Sequence, residues 1–145
     1  MNVLIKKLRE DAVIPTRGSE KAAGYDLYAC GLDHSALLFP HHTVMIGTGL
    51  AMEIPDGYCG LLYARSGLAS KKGLRPANCV GVIDSDYRGE IKIALHNDSE
   101  NAHQVFNGER IGQIVITPYL NVEFEEAETL ADTQRGEGGF GSTGN

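Results

Sequence analysis

With 145 residues, 42% of them hydrophobic and 22% charged, the chain has the size and composition of one globular domain with its own core. Its net charge of -6 argues against non-specific nucleic-acid binding, because no basic face is available to displace counterions. No apolar run reaches the ~18 residues of a membrane span, no signal peptide is visible, and the three cysteines fit neither a disulfide framework nor a zinc site, so a cytoplasmic protein is expected.

The first part of the chain contains two strand-like runs separated by a loop. An apolar run at residues 3–5 predicts a first strand, and residues 11–21 have the composition of a loop. Within residues 22–29, Asp26 interrupts an otherwise apolar strand. A carboxylate there must be solvated, paired or close to a metal ion, and the residue types alone leave all three readings open.

Residues 43–54 show the clearest alternation in the chain, and Thr48 is the one polar member of the apolar face. The apolar members are Val44, Ile46, Leu50, Met52 and Ile54. Residues 55–57, Pro-Asp-Gly, predict a turn, because proline presets φ and glycine permits a positive φ. Residues 58–63 then predict the returning strand.

A short helix is predicted after this strand. Ser66 is a plausible N-cap, Lys71 and Lys72 suit the last turn, and Gly73 suits the position after the C-cap. Arg65 and Ser66 would then stand at a helix N-terminus, which presents free N–H groups suited to phosphate. A well-capped connecting helix is the alternative interpretation.

Residues 78–97 predict a β-hairpin with a chemically unusual bend. Apolar residues alternate along both arms, and the bend carries Asp84, Tyr87 and Arg88. An acid, an aromatic ring and a guanidinium on one hairpin could form one wall of a small-molecule site. An ordinary hairpin with a polar tip is the alternative.

The last predicted strand precedes an unusual C-terminus. Residues 111–116 are apolar enough to be buried on both faces, so Gln113 needs hydrogen-bond partners, and Pro118 closes the strand. Alternation resumes at Leu120, Val122 and Phe124, and acidic residues 125–132 suggest a solvated linker.

Residues 133–145 are too rich in glycine to form a packed element. Either they are a disordered terminus, or they are a flexible tail that becomes ordered on a ligand. In the second case Arg135, Ser142 and Thr143 can surround phosphate, and Phe140 can stack on a base. Short strands and a single helix together predict a mostly-β fold of barrel or jelly-roll type, with one domain at residues 1–132 followed by the arm 133–145.

Five stretches resemble, in order and spacing, the five motifs of the trimeric dUTP pyrophosphatases, the dUTPases. They are AGYDLYA (23–29), ARSGLA (64–69), NCVGVIDSDYRGE (78–90), GERIGQ (108–113) and RGEGGFGSTG (135–144). One departure is Ala64, where many members of the family have proline. The resemblance implies a jelly-roll-like β-barrel of the dUTPase-like β-clip type and a homotrimer with active sites shared between subunits. It also implies hydrolysis of dUTP to dUMP and pyrophosphate with Mg²⁺ on the triphosphate.

The resemblance also implies roles for individual residues near the nucleoside. Asp84 matches the acid that holds and activates the attacking water. Tyr87 matches the ring that packs on the deoxyribose and leaves no room for a 2′-hydroxyl. The Asn78 amide and neighbouring main chain match the groups that read the edge of uracil.

The remaining implied roles concern the phosphates. Arg65, Ser66 and the Gly67 N–H match phosphate ligands. The resemblance also implies that Ser66 and Gln113 are catalytic together with Asp84, with Gln113 holding the phosphate or the water, and that Asp26 supports this region. The tail residues implied in closing the site are Arg135, Phe140, Gly141, Ser142 and Thr143. Mg²⁺ would have few or no direct protein ligands, because a triphosphate and water can complete its coordination.

Two other activities compete with the hydrolase. A dCTP deaminase, or a bifunctional deaminase and dUTPase, belongs to the same superfamily, but the hairpin sequence around Asp84 and the full tail favour the hydrolase. A non-catalytic, nucleotide-responsive binding protein would not need a water-activating acid. The pattern predicts no nucleic-acid or membrane partner.

Overall fold

The structure is a computed structural model, and it describes residues 1–139 of the chain. These residues form twelve short strands and one helix. The strands are β1 (Leu4–Lys7), β2 (Thr16–Arg17), β3 (Tyr25–Tyr28), β4 (Ser35–Leu38), β5 (Thr43–Gly47), β6 (Leu50–Glu53), β7 (Tyr58–Tyr63), β8 (Leu74–Pro76), β9 (Gly81–Ile83), β10 (Lys92–Asn97), β11 (His103–Phe106) and β12 (Arg110–Pro118), and the helix is α1 (Ser66–Lys72). The predicted mostly-β fold with one short helix is confirmed.

The strands pair in four antiparallel sheets. The largest has the order β2-β3-β12-β7-β9, a second has the order β5-β10-β8, and β1-β6 and β4-β11 form two-stranded sheets. Within residues 1–139 these sheets stay separate ladders and do not close into one barrel, although the arrangement is jelly-roll-like as predicted. No helix in the described part of the chain is long and apolar enough to cross a membrane.

The predicted hairpin at residues 78–97 is wrong. Its incoming arm, β9, pairs with β7, whereas its outgoing arm, β10, lies between β5 and β8 in another sheet. The intervening loop therefore crosses from one sheet to the other. Alternation correctly indicated that Ile91, Ile93 and Leu95 are buried, but alternation carries no information about which strand becomes the partner.

The core lies between the sheets and contains the apolar face predicted at residues 43–54. That run is two strands rather than one, broken after β5 at Thr48 and Gly49, where Gly49 has a φ of 67°. Thr48 is 1% exposed, and its hydroxyl donates to the Ile91 carbonyl at 2.7 Å, which is why the core accepts it. This hydrogen bond connects the bend between β5 and β6 to Ile91, the residue before β10.

Turn and helix chemistry follows the sequence closely. Gly57 has a φ of 80°, and the Tyr58 N–H donates to the Pro55 carbonyl at 3.1 Å, as expected for the predicted turn. Gly73 ends α1 in the left-handed conformation, also as predicted. The predicted N-cap is wrong by one residue: Arg65 occupies it without a side-chain cap, and Ser66 is the first helical residue.

After β12 the described chain has no further strand. Leu120 is 86% exposed, Val122 57% and Phe124 98%, so their alternation does not correspond to a strand edge in a single copy of the chain. The acidic residues 125–132 are exposed, as expected of a linker. Residues 140–145, including the predicted site residues Phe140, Gly141, Ser142 and Thr143, lie outside the described residues.

Candidate active site

A paired carboxylate connects three of the motif-bearing segments. Asp26 on β3 is buried, and its Oδ1 lies 2.7 Å from Nε of Arg65, the residue before α1. Its Oδ2 lies 3.4 Å from an Nη of Arg110 at the start of β12. Of the three possibilities that the sequence left open, Asp26 is therefore paired, and it holds two guanidinium groups side by side.

Gln113 finds partners in the same region. Its Nε2 donates to the Ala64 carbonyl at 2.9 Å, so β12 fixes the main chain just before Arg65. Gly24 provides the space for this side chain, because a Cβ at position 24 would overlap Oε1 of Gln113. The first, second and fourth motifs thus meet at one place in the fold.

The first turn of α1 presents groups that can contact a ligand. Ser66 and Gly67 are exposed, and open space surrounds the position that a Cβ on Gly67 would occupy. A groove of about 360 Å³ runs beside the helix. Its lining includes the cations Arg65, Lys72 and Arg110 and the carboxylate of Glu109, whereas Ser66 and Gly67 lie next to it at the start of the helix. Hydroxyl, N–H and guanidinium donors close together are suited to binding a polyanion.

A second cleft, of about 300 Å³, lies at the loop that follows β9. Asp84 is exposed at its edge, and Tyr87 is 44% exposed. The Tyr87 N–H donates to the Asp84 carbonyl at 3.2 Å, and its hydroxyl donates to the Glu90 carbonyl at 3.1 Å. The remaining lining residues are Met45, Val82, Ile83, Glu90 and Lys92.

Asn78 and Arg88, the other two residues of this region that the sequence singled out, are placed differently relative to the cleft. Asn78 is exposed just before β9, and its Nδ2 would lie 3.1 Å from a Cβ at Gly81, so the glycine gives the amide room. Arg88 does not border the cleft; it donates to the Ser85 carbonyl at 2.6 Å and to the Tyr87 carbonyl at 3.1 Å. In the structure its guanidinium therefore does not line this cleft with Asp84 and Tyr87.

The two regions do not share a cleft. Arg65, Ser66 and Gln113 are absent from the lining of the Asp84 cleft, and Asp84 and Tyr87 are absent from the lining of the groove beside α1.

Arg135 is the one predicted tail residue that the structure describes, and its Nε donates to the Gly138 carbonyl at 2.8 Å. Among the described residues, no group of three or more His, Cys, Asp or Glu side chains could hold a metal ion.

Arg110 is a site residue that the sequence analysis did not single out. It belongs to the GERIGQ stretch, in which only Gln113 was predicted to act. Its pairing with Asp26 spans 84 residues, so local pattern could not reveal it. The signal available was a cation inside a motif that already contained Gln113.

We expect Asp26→Asn to lower the free energy of unfolding by about 1.5–3 kcal/mol, because the amide leaves two partly buried guanidinium groups without their counterion. Urea unfolding measures the effect. Asp11→Asn is the matched control, since Asp11 also pairs with an arginine but is exposed, and little change is expected there. Equal stability of the two variants would show that the Asp26 pairs contribute nothing beyond a surface contact.

Comparison with known proteins gives consistent results. A model of the dUTPase family matches residues 10–144. The deoxyuridine 5′-triphosphate nucleotidohydrolase of Hydrogenobaculum sp. (strain Y04AAS1) is 49% identical over 99% of each chain, and that of Nautilia profundicola is 48% identical over 99% of each. The dUTPase of Staphylococcus bacteriophage 80alpha, solved with dUPNHPP, superposes with a TM-score of 0.85 at 31% identity and covers 99% of each chain.

Proposed function

Since this chain belongs to the dUTPase family and hydrolyses dUTP to dUMP and pyrophosphate, we propose that it does so at a site that more than one copy of the chain completes. The observation that carries this proposal is the separation of the two regions. The phosphate-binding donors lie beside α1 and β12, whereas Asp84 and Tyr87 line another cleft. A nucleotide would contact both sets of residues if the cleft of one copy faced the groove of another, and this arrangement is the one that we propose. The reaction limits the dUTP available for incorporation into DNA and supplies dUMP for thymidylate synthesis.

The first turn of α1 and the groove beside it are proposed as the phosphate end of the site. Arg65, Ser66 and the Gly67 N–H would contact the phosphates, and the charge on the leaving pyrophosphate would be offset by guanidinium groups. Arg110 adds a second cation to this set. Asp26 supports both arginines without contacting the substrate, and Gln113 fixes the Arg65 segment while its amide helps to hold a phosphate or the water.

The cleft after β9 is proposed as the nucleoside end. The Asp84 carboxylate accepts a proton from a water molecule whose oxygen attacks the α-phosphorus, and the bond from that phosphorus to the bridging oxygen breaks, so pyrophosphate leaves. Asp84 is exposed, so water can reach its carboxylate. Tyr87 would pack on the deoxyribose, and Asn78 with nearby main chain would read the edge of uracil.

The dUTPase family is generally dependent on a divalent metal ion, and we propose Mg²⁺ for this chain. Two carboxylates lie at the phosphate end: Asp26 already binds two arginines, and Glu109 lines the groove and accepts from the Phe106 N–H at 3.1 Å. A cation carried mainly by the triphosphate and water therefore fits the residues present, because Mg²⁺ prefers oxygen ligands and retains several waters. When bound, it offsets the charge of the phosphate oxygens.

The assembly is proposed to be a homotrimer with three shared sites. Each site would take the first, second and fourth motifs from one subunit, the loop with Asp84 from a second and the tail from a third. Within the tail, Arg135, Gly141, Ser142 and Thr143 would contact phosphates and Phe140 would cover the uracil. The division into a domain at 1–132 and an arm at 133–145 is part of this proposal, as is a cytoplasmic location, which agrees with three free cysteines.

One assay tests the proposed reaction against its alternatives. The protein is incubated with dUTP or with dCTP, and pyrophosphate and ammonia are measured. Pyrophosphate from dUTP without ammonia from dCTP is the expected result. Ammonia release would indicate a deaminase, and nucleotide binding without turnover would indicate a binding protein. Sedimentation equilibrium tests the trimer, and a monomeric mass with full activity would contradict the shared site.

We expect Tyr87→Ala to admit UTP, so that the ratio of kcat/KM for dUTP to that for UTP falls by roughly 10–100-fold, because steric exclusion of the 2′-hydroxyl is lost. Steady-state kinetics with both nucleotides measures the ratio. Tyr119→Ala is the control, since Tyr119 is similarly exposed and lies outside the cleft. An unchanged ratio in a folded Tyr87→Ala enzyme would place the sugar discrimination elsewhere.

A further inference from the structure

We propose that Glu90 is a positioning residue. It fixes the position of the Tyr87 ring and thereby controls how strongly the enzyme discriminates dUTP from UTP. This inference rests on the proposed role of Tyr87 against the 2′-hydroxyl. Glu90 was not assigned a role by its sequence, in which it opens the outgoing arm of the predicted hairpin. In the structure it connects the Tyr87 loop to the bend between β5 and β6.

The Glu90 carboxylate is held in a fixed place. Its Oε1 accepts a hydrogen bond from the Gly49 N–H at 2.9 Å, and its side chain is only 25% exposed. Gly47 makes this arrangement sterically feasible, because a Cβ at position 47 would overlap Oε1. Lys92 Nζ lies 3.4 Å from the other carboxylate oxygen. A charge-assisted bond to a main-chain N–H is among the stronger ways to fix a side chain.

The same residue contacts Tyr87 through its main chain. The Tyr87 hydroxyl donates to the Glu90 carbonyl at 3.1 Å. Gly89 lies against the phenol, and a Cβ there would overlap the ring and its hydroxyl. Tyr87 is therefore placed by its contacts with residues 89 and 90, and a displacement of residue 90 would be transmitted directly to the ring.

The strand that follows is held without Glu90. The Ile91 N–H donates to the Leu50 carbonyl at 2.8 Å, and the Ile91 carbonyl accepts from both the N–H and the hydroxyl of Thr48. Ile91 is also fully buried. The Glu90 carboxylate thus adds restraint on the loop side of this anchor, which is why its loss is expected to alter discrimination more than folding.

The test compares Glu90→Ala with Glu90→Gln in the full chain. For Glu90→Ala we expect the ratio of kcat/KM for dUTP to that for UTP to fall roughly tenfold, since a small misplacement of a contacting group has an effect of this order. In Glu90→Gln the amide oxygen can still accept from the Gly49 N–H, so the ratio should stay within about twofold of wild type. A merely structural role would lower activity on both nucleotides together and leave the ratio unchanged.

Two further variants separate the carboxylate from its neighbours. Gly47→Ala displaces the carboxylate while Glu90 remains, and it should lower the ratio as Glu90→Ala does. In a Tyr87→Ala background, Glu90→Ala should cause no additional fall, because the group that it positions is gone.

The outcomes distinguish this inference from the proposed function. A wild-type protein that releases no pyrophosphate from dUTP overturns both. If wild type is a dUTPase with strong sugar discrimination, an unchanged ratio in folded Glu90→Ala and Gly47→Ala overturns the role of Glu90 alone. So does an additional fall in the Tyr87→Ala background, or a Glu90→Gln ratio as low as that of Glu90→Ala.

Discussion

Replacing Asp84 by asparagine is expected to lower kcat by about 10²–10⁴-fold while nucleotide binding stays close to normal, because the amide keeps the shape of the side chain but cannot accept the proton of the attacking water. The structure indicates that the loop would keep its conformation after this substitution. Its turn is closed through the Asp84 main-chain carbonyl, which accepts from the Tyr87 N–H, and not through the carboxylate. Single-turnover kinetics with dUTP and equilibrium binding of a non-hydrolysable analogue separate the two effects.

Asp86→Asn is the matched control for this experiment. Asp86 is an exposed carboxylate on the same loop, two positions along, and it is absent from the lining of the cleft. Its replacement removes the same charge from the loop and is expected to change kcat by less than about twofold. If Asp84→Asn retained more than a tenth of wild-type kcat, or if Asp86→Asn were equally impaired, Asp84 would not be the base.

Strand positions and turns were largely predictable, whereas strand partners were not. Alternation at residues 91–95 follows from which side of a strand faces the core, and this is a local property of the sequence. The separation of β9 from β10 depends on which distant edges accept them, β7 in one case and β5 with β8 in the other. The bend at Gly49 was missed for a related reason, since Leu50 and Met52 continue the apolar pattern across it.

In the candidate site, too, the need of a residue for a partner was predictable from the sequence, but the partner itself was not. The chemistry of Asp26 required a partner, yet Arg65 lies 39 residues away and Arg110 lies 84 residues away. The need of Gln113 for a hydrogen bond was predictable, but its acceptor, the Ala64 carbonyl, depends on the pairing of β7 with β12. Residue type therefore indicates what a buried polar group needs, and only the fold decides which group supplies it.

Ending the chain at Gln134 is expected to lower turnover by roughly 10²-fold or more, because the residues removed include the whole fifth motif, whose proposed role is to cover the base and exclude water. The thermal midpoint should change little. Residues 119–134 are exposed in the described chain, and the hydrogen bonds recorded for the Arg135 segment are local, from Gly136 and Gly138 to residues within three positions. Of the removed residues, those that the structure describes, 135–139, make no hydrogen bond to the core.

A tryptophan reporter tests whether this segment responds to the nucleotide. The chain contains no tryptophan, so Phe140→Trp introduces the only indole. Its fluorescence should change with a non-hydrolysable dUTP analogue and Mg²⁺ and change less with dUMP, because ordering a glycine-rich segment costs roughly 1–2 kcal/mol per residue and needs the distal phosphates to offset it. Phe124→Trp, at an exposed position before the motif, is the control and should respond weakly. A Phe140→Trp signal indifferent to the triphosphate, or a truncated enzyme with full activity, would show that the fifth motif has no part in closing the site.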